Sequence, residues 1–287
     1  MAQKIWDVLS ESKRIIHAQP RHYLTLSLIF LLPVSFLSLL YQIILKQLQQ
    51  QQQPPANSTT IIYVSLLFIT ISSIFTYGAI ITITYSVFHA FFNRPIKLKE
   101  AIKSISTSFF PLLATNIVIF TVIFFVFFLL FLLFGLVFFL ITYLGHVDVQ
   151  TNPYFVAIYY MVLMLVLLPL VIYLVINLSL VKTIVVVESC WGFEPLKRSW
   201  KLVKGMKMLI LSIILLFGFL QGILSWISGY SWVLIFIISP ILAILSLYSI
   251  AVYPVLYIYC KQKHGELAEV EFGDKIKDEA NLSLIPV

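Results

Sequence analysis

Apolar residues along this chain fall into six long blocks: Tyr23–Leu45, Ile61–Phe88, Phe109–Ile141, Tyr154–Val181, Met208–Ile227 and Trp232–Ile258. Short polar segments separate them. Each block reaches the ~20 residues that carry a helix across about 30 Å of hydrocarbon. The pattern predicts an all-α integral membrane protein, a bundle of six transmembrane helices in one domain over residues 1–260. A charged tail follows over 261–287. The third block is over length, so its helix should tilt or run past the hydrocarbon.

Composition agrees. Hydrophobic residues make up 61% of the chain and charged ones 11%, against roughly 25% charged in a soluble domain. Cys190 and Cys260 are too few for a disulfide framework. Residues 1–20 lack the apolar stretch and small-residue cleavage site of a signal peptide, so the first block is expected to act as an uncleaved anchor.

The net charge of +7 is placed on one side. Of 19 Lys and Arg, only Lys46 falls in a connection on the opposite side. The rest lie before the first block, between the second and third, between the fourth and fifth, or after the sixth. The positive-inside rule then puts both termini in the cytoplasm, in a membrane of the endoplasmic reticulum and secretory pathway or at the plasma membrane. The charge becomes a property of the cytoplasmic face, which argues against nucleic acid as a partner.

The outer connections carry little chemistry. The first holds Gln49–Gln53, Pro54 and Pro55, with a glycosylation sequon at Asn57-Ser58-Thr59 whose closeness to the second block argues against its use. His146 and Asp148 lie in the third connection, and the fifth is little more than Ser228–Ser231.

Three basic segments precede the outgoing blocks: Ile5–Ile16, Ile96–Ile105 and Phe193–Met206. In the first, Ile5, Val8, Leu9 and Ile16 share a helical face. In the second, Leu98, Ile102 and Ile105 recur at helical spacing. In the third, Leu196, Trp200 and Val203 oppose Lys197, Arg198, Lys201 and Lys204. Such segments are expected to lie in the headgroup plane, apolar face down and cations toward anionic lipid; the plainer alternative is that they only orient and anchor the spans. Placing Ser12, Ser104 and Ser199 together aligns the three and suggests three parallel helical-hairpin repeats.

The run Val187-Glu188, Gly192 and Leu196-Lys197-Arg198-Ser199-Trp200-Lys201-Leu202-Val203-Lys204-Gly205 resembles a recurrent motif of one group of multipass proteins. That group includes the membrane domain attached to some bacterial glycerophosphodiester phosphodiesterases, and related stand-alone proteins. In hydropathy the whole chain also resembles a plant family of uncharacterised multipass proteins. The catalytic domain is absent, so the resemblance implies a helical membrane fold and carries over no activity.

No block has a charged residue at its centre. Lys182 and Glu188 flank the cytoplasmic end of the fourth. Coupled carriers usually need such groups, which weighs against a proton-coupled carrier. His17, His22 and His89 lack metal-ligand spacing, and no HExxH, phosphate loop or Gly-x-Ser-x-Gly occurs; neither cofactor nor catalytic residue is expected. Cys260, before Lys261, is either a palmitoylation position or a buried thiol. Polar residues do form stripes: Thr70, Ser73, Tyr77 and Thr84 in the second block, and Ser246, Ser249, Tyr253 and Tyr257 in the sixth. Asn177 follows Tyr173 by one turn, Gly218 and Gly222 form a GxxxG pair beside Gln221, and Pro33, Pro169, Pro240 and Pro254 are candidate kinks. The stripes should face other helices, bonding across packed interfaces or lining a cavity. These readings lead to a non-enzymatic scaffold, assembly or lipid-interacting protein, its partners being the bilayer, anionic headgroups and other membrane proteins. The alternative is a transporter or channel for a neutral or lipid-like molecule. A sealed interior would favour the first and a lined void the second.

Overall fold

The computed structural model describes residues 2–50, 58–94, 96–144, 153–229 and 231–266. Asn57, Pro54, Pro55, His146, Asp148 and the tail beyond Glu266 lie outside them. Among the described residues the fold is helical, with no strand. The elements are α1 (Ala2–Ala18), α2 (Pro20–Leu26), a π-helical turn (Ser27–Leu31), α3 (Leu32–Gln50), α4 (Ser58–Phe91), α5 (Leu98–Leu144), α6 (Pro153–Leu178), α7 (Val181–Glu188), α8 (Glu194–Val203), α9 (Lys207–Ser228) and α10 (Trp232–Lys263).

Among the described residues six helical stretches are long and apolar enough to cross a membrane: Pro20–Gln47, Ile61–Phe91, Leu98–Tyr143, Ala157–Glu188, Lys207–Ser228 and Val233–Lys263. The protein is an all-α integral, multipass membrane protein. An even number of spans puts α1 and the end of α10 on one side, called here the basic end, together with α7, α8 and the connections after α4 and before α9.

Local chemistry explains the interruptions. Pro20 opens α2 from the first helical position, where its missing N–H costs nothing. Pro33 cannot donate to the carbonyl one turn back. The helix widens just before it, and the Leu32 N–H bonds Ser27 O, five residues back. At the end of α4, Asn93 takes a left-handed conformation (φ 55°), and the Arg94 N–H bonds His89 O, a Schellman-type stop. Gly205 (φ 90°) ends α8 in the same region of backbone space.

Packing is concentrated at the basic end. There α10 is the central post, touching α1, α3, α4, α7, α8 and α9. Its Ala251, Val252, Val255, Leu256, Tyr257 and Ile258 are all buried. Val8, Ile15 and Ile16 of α1, Tyr23 and Leu26 of α2, and Ile83 and Val87 of α4 join the same core. Toward the other end, the buried apolar cluster lies along the α3–α10 seam, where Leu39 and Ile43 meet Ile235 and Ile238. Ser35 Oγ donates to Ser239 O across that seam at 2.9 Å. At Gly78 spans one and two approach closely: a β-carbon there would lie 2.7 Å from the Phe30 ring. Span three stays at the rim, and Phe120, Phe124, Phe125, Phe128 and Phe131 face outward.

Several expectations change. The segment Ile96–Ile105 is no separate interfacial helix. It is continuous with span three from Leu98, because no breaker interrupts 98–110 and the Lys97 N–H bonds Glu100 Oε2 at 3.3 Å, as in a capping box. The apolar face of α1 meets α10, α4 and α9 instead of lipid. Gly218 and Gly222 have open space over them and hold no close helix–helix contact within the chain. Pro169, Pro240 and Pro254 sit inside continuous helices. The fourth span instead breaks at Ser179-Leu180, between α6 and α7. The three aligned serines share burial: Ser12, Ser104 and Ser199 are 0%, 8% and 0% exposed. Their bonds differ, since Ser12 and Ser104 donate within their own helices and Ser199 donates to another.

Candidate functional site

At the basic end α7 stops at Ser189, in a left-handed conformation, and the chain folds back into α8. The return brings Arg198 against Glu188. Arg198 Nε lies 2.6 Å from Glu188 Oε1 and 2.5 Å from Oε2, and a second nitrogen, Nη2, reaches Glu266 at 3.2 Å. Lys261 of α10 approaches the same carboxylate at 3.7 Å, and Tyr257 donates its hydroxyl to it. The Lys261 Nζ also lies 5.4 Å from the Tyr257 ring centroid. Burial works to lower the Arg198 pKa, but Glu188 outweighs it, and the guanidinium ends above its ordinary value. Arg198 is therefore held by protein carboxylates while its side chain stays 33% exposed at the basic face. Nothing in the spacing of a basic stripe reveals which cation folds back onto an acid ten residues earlier.

The other members of the α8 stripe divide. Lys197, Lys201 and Lys204 are exposed. Ser199 is buried and donates to Asn177 O at 2.5 Å, pinning α8 to the end of α6. Leu202 and Val203 are buried in the protein, whereas Leu196 is half-buried and Trp200 faces outward. The Trp200 ring meets Tyr173 edge-on at 5.8 Å, and Lys207 Nζ lies 4.7 Å from the centre of that Tyr173 ring. This is the aromatic-and-cation pairing of a membrane–water boundary.

The polar stripes divide by depth. Thr70 is exposed and donates to Leu66 O, so its hydroxyl is satisfied by its own helix and need not face the bundle. Ser73 does the same with Ile69 O. Tyr77 is half-buried and accepts from Asn116 Nδ2 at 2.7 Å, tying span two to span three. Ser246 and Ser249 are half-buried. Tyr257 belongs to the ion cluster. Thr84 and Tyr253, one from each stripe, meet at a cavity.

That cavity, of about 420 Å³, lies among α4, α5, α6, α7, α9 and α10. Its walls are mainly apolar, including Ile123 and Phe127 of α5, Leu174 and Leu178 of α6, and Ile250 of α10; Thr84, Ser179, Lys182, Thr183 and Tyr253 add polar atoms. Val171 and Val175 also line it and are 40% and 45% exposed, so it opens sideways between helices. A second groove of about 550 Å³ shares Ile123, Leu174 and Leu178 with it and runs to Leu196, Lys197 and Trp200 of α8. Spans three and four thus form opposite walls. They meet farther from the basic end, where the Tyr159 hydroxyl donates to Phe134 O at 2.8 Å and its ring packs on Phe138. Sequence reading gave Lys182 no role: as a lone cation near a span end it passes for an anchor, and in the fold it is an exposed residue that stands on the cavity wall just after the break at Ser179-Leu180.

Other candidates resolve structurally. Cys260 is buried, its Sγ 3.6 Å from Met206 Sδ. His22 bonds Ser86 Oγ at 3.0 Å, and His89 bonds Tyr85 O at 2.9 Å. Among the described residues no group of three or more His, Cys, Asp or Glu is placed to hold a metal ion.

No curated protein and no solved structure matches the chain. One family model does, over residues 5–260 and so over all six spans. By that match the chain belongs to the family described as a domain of unknown function (DUF7847).

Proposed function

We propose that this protein is a non-enzymatic, lipid-interacting component of its membrane, holding lipid between its spans and presenting a basic face at the headgroups. Both termini are cytoplasmic in this reading, in the secretory pathway or the plasma membrane, as the one-sided distribution of Lys and Arg supports. The observation that carries it is the cavity of about 420 Å³ with a lateral opening. Its volume falls within the roughly 300–1,000 Å³ of small-molecule sites, and its walls are mainly apolar, as suits an acyl chain. The exposed cations of α8 and the Trp200–Tyr173 pair add a headgroup contact next to the adjoining groove.

The likeness of Val187–Gly205 to phosphodiesterase-attached membrane domains, and of the chain to a plant multipass family, fits a membrane part that works beside other proteins and has no hydrolytic step of its own. Transport of a neutral or lipid-like molecule is the second reading, favoured by Thr84 and Tyr253 on the cavity wall. The dense packing of α1, α4 and α10 at the basic end weighs against a passage there.

The test is lipid retention. Native mass spectrometry of the full chain released from nanodiscs should show a bound lipid. Val175→Trp, which fills the cavity mouth, should reduce it severalfold, while Ile223→Trp on the outward face of α9 should not. Equal retention by all three proteins would remove the proposal.

A further inference from the structure

Among the described residues Lys182 is the one charged residue lining the cavity. It lies six residues before Glu188, about 9 Å along the helix, inside the fourth span. Among the described residues its ammonium has no carboxylate, carbonyl or ring partner, whereas Lys261 and Arg198 nearby both share Glu188. Lys182 is exposed at the basic end of that span, where its strongly hydrated ammonium is available to a negatively charged partner entering from the membrane. Among the described residues no Asp or Glu lines this cavity, so none of them supplies that negative partner.

The surrounding hydroxyls point the same way. Thr70, Ser73, Thr76 and Thr82 donate to carbonyls of their own helix. Thr84, Thr183 and Tyr253, which line the cavity, have no hydrogen-bond partner among the described residues. Lys182 and Thr183 also stand in the first turn of α7, where backbone N–H groups lack intrahelical acceptors and the helix dipole is positive. One small apolar chamber thus gathers a cation, unpartnered hydroxyls and a positive helix end, with a lateral mouth. Such a chamber is complementary to an amphiphile whose head carries negative charge and accepts hydrogen bonds.

We infer that the cavity binds an acidic lipid, its ionised headgroup on Lys182 with hydrogen bonds from Thr84, Thr183 and Tyr253, and its chain passing out past Val175. This rests on the lipid-interacting reading above and adds the charge of the ligand. A glyceride with a neutral head would fill the apolar walls but leave the ammonium unpaired, and so should bind worse.

The experiment uses the full chain in phosphatidylcholine vesicles, photolabelled by a diazirine-bearing palmitate and competed with oleate or with monoolein. Labelling should map to peptides containing Leu174–Lys182. Oleate should compete about tenfold better than monoolein, the scale of one charge-assisted contact. Lys182→Gln should erase that preference while keeping residual labelling, and Lys182→Arg should retain it. Labelling within Leu174–Lys182 with equal competition by the two lipids, unchanged in Lys182→Gln, would overturn the acidic-headgroup inference and leave lipid binding standing. Labelling scattered over the outward face of α5, with none at Leu174–Lys182, would overturn both.

Discussion

Arg198 shows how much one residue's role depends on its fold partner. Read along α8 it is one of four cations on a basic face; in the fold its guanidinium spans both oxygens of Glu188. Arg198→Leu would leave that carboxylate, 10% exposed, with only Lys261 at 3.7 Å and the Tyr257 hydroxyl among the described residues. The loss should be smaller than the roughly 3–5 kcal/mol of breaking a fully buried pair, because Arg198 is itself 33% exposed to screening water. The expected result is a clear drop in the thermal midpoint in detergent. Lys201→Leu, which removes an exposed cation, should change it little. Cys190 offers a test by pH. Burial, and then Glu188 and Glu194, hold its thiol above the ordinary cysteine range. A raised value means less thiolate at any given pH. In a Cys260→Ala background, alkylation of Cys190 near about pH 8, the ordinary thiol range, should be slower than that of an exposed cysteine and should accelerate with Glu194→Gln. A rate equal to the exposed control would show that the carboxylates do not act on it.

At the scale of elements the hydrophobic pattern was most informative where the solvent is lipid. Blocks such as Ile61–Phe88 and Met208–Ile227 became spans with ends shifted by at most three residues, because length and apolarity are what the bilayer reads. Amphipathic segments were harder. A face with Val8 and Ile16 is equally suited to lipid or to a neighbouring helix, and α1 took the helix. The break at Ser179-Leu180 has no Pro or Gly to announce it. The glycines were ambiguous in another way: Gly218 and Gly222 match a contact motif yet face outward, while the solitary Gly78 carries the close crossing with Phe30. Gly78→Ala should therefore destabilise the α4 contact with span one by about 1–3 kcal/mol, as overpacking does. Phe30→Ala should relieve most of that cost, giving a coupling visible in a double-mutant cycle. Additive losses would place the crossing elsewhere.

The whole molecule is uneven, tightly knit around α10 at the basic end and looser where spans three and four diverge. Six spans and the one-sided charge were legible in the sequence. The cavity was not, because its polar residues come from three helices, α4, α7 and α10, and from Ser179 in the break between α6 and α7, none of which announces a shared site by itself. Orientation is testable independently of the cavity. With Cys190 and Cys260 replaced, a single cysteine at Ser231 should react with an impermeant reagent applied outside sealed cells, and one at Lys275 should not. The reverse pattern would invert the proposed topology and put the basic face outside. Whether the space between spans three and four is a lipid site can be seen in a cryo-EM map of the full chain in lipid nanodiscs. Chain-shaped density should run between Ile123 and Leu174 and end at Lys182; α5 and α6 packed together there, with no density between them, would contradict a lipid site.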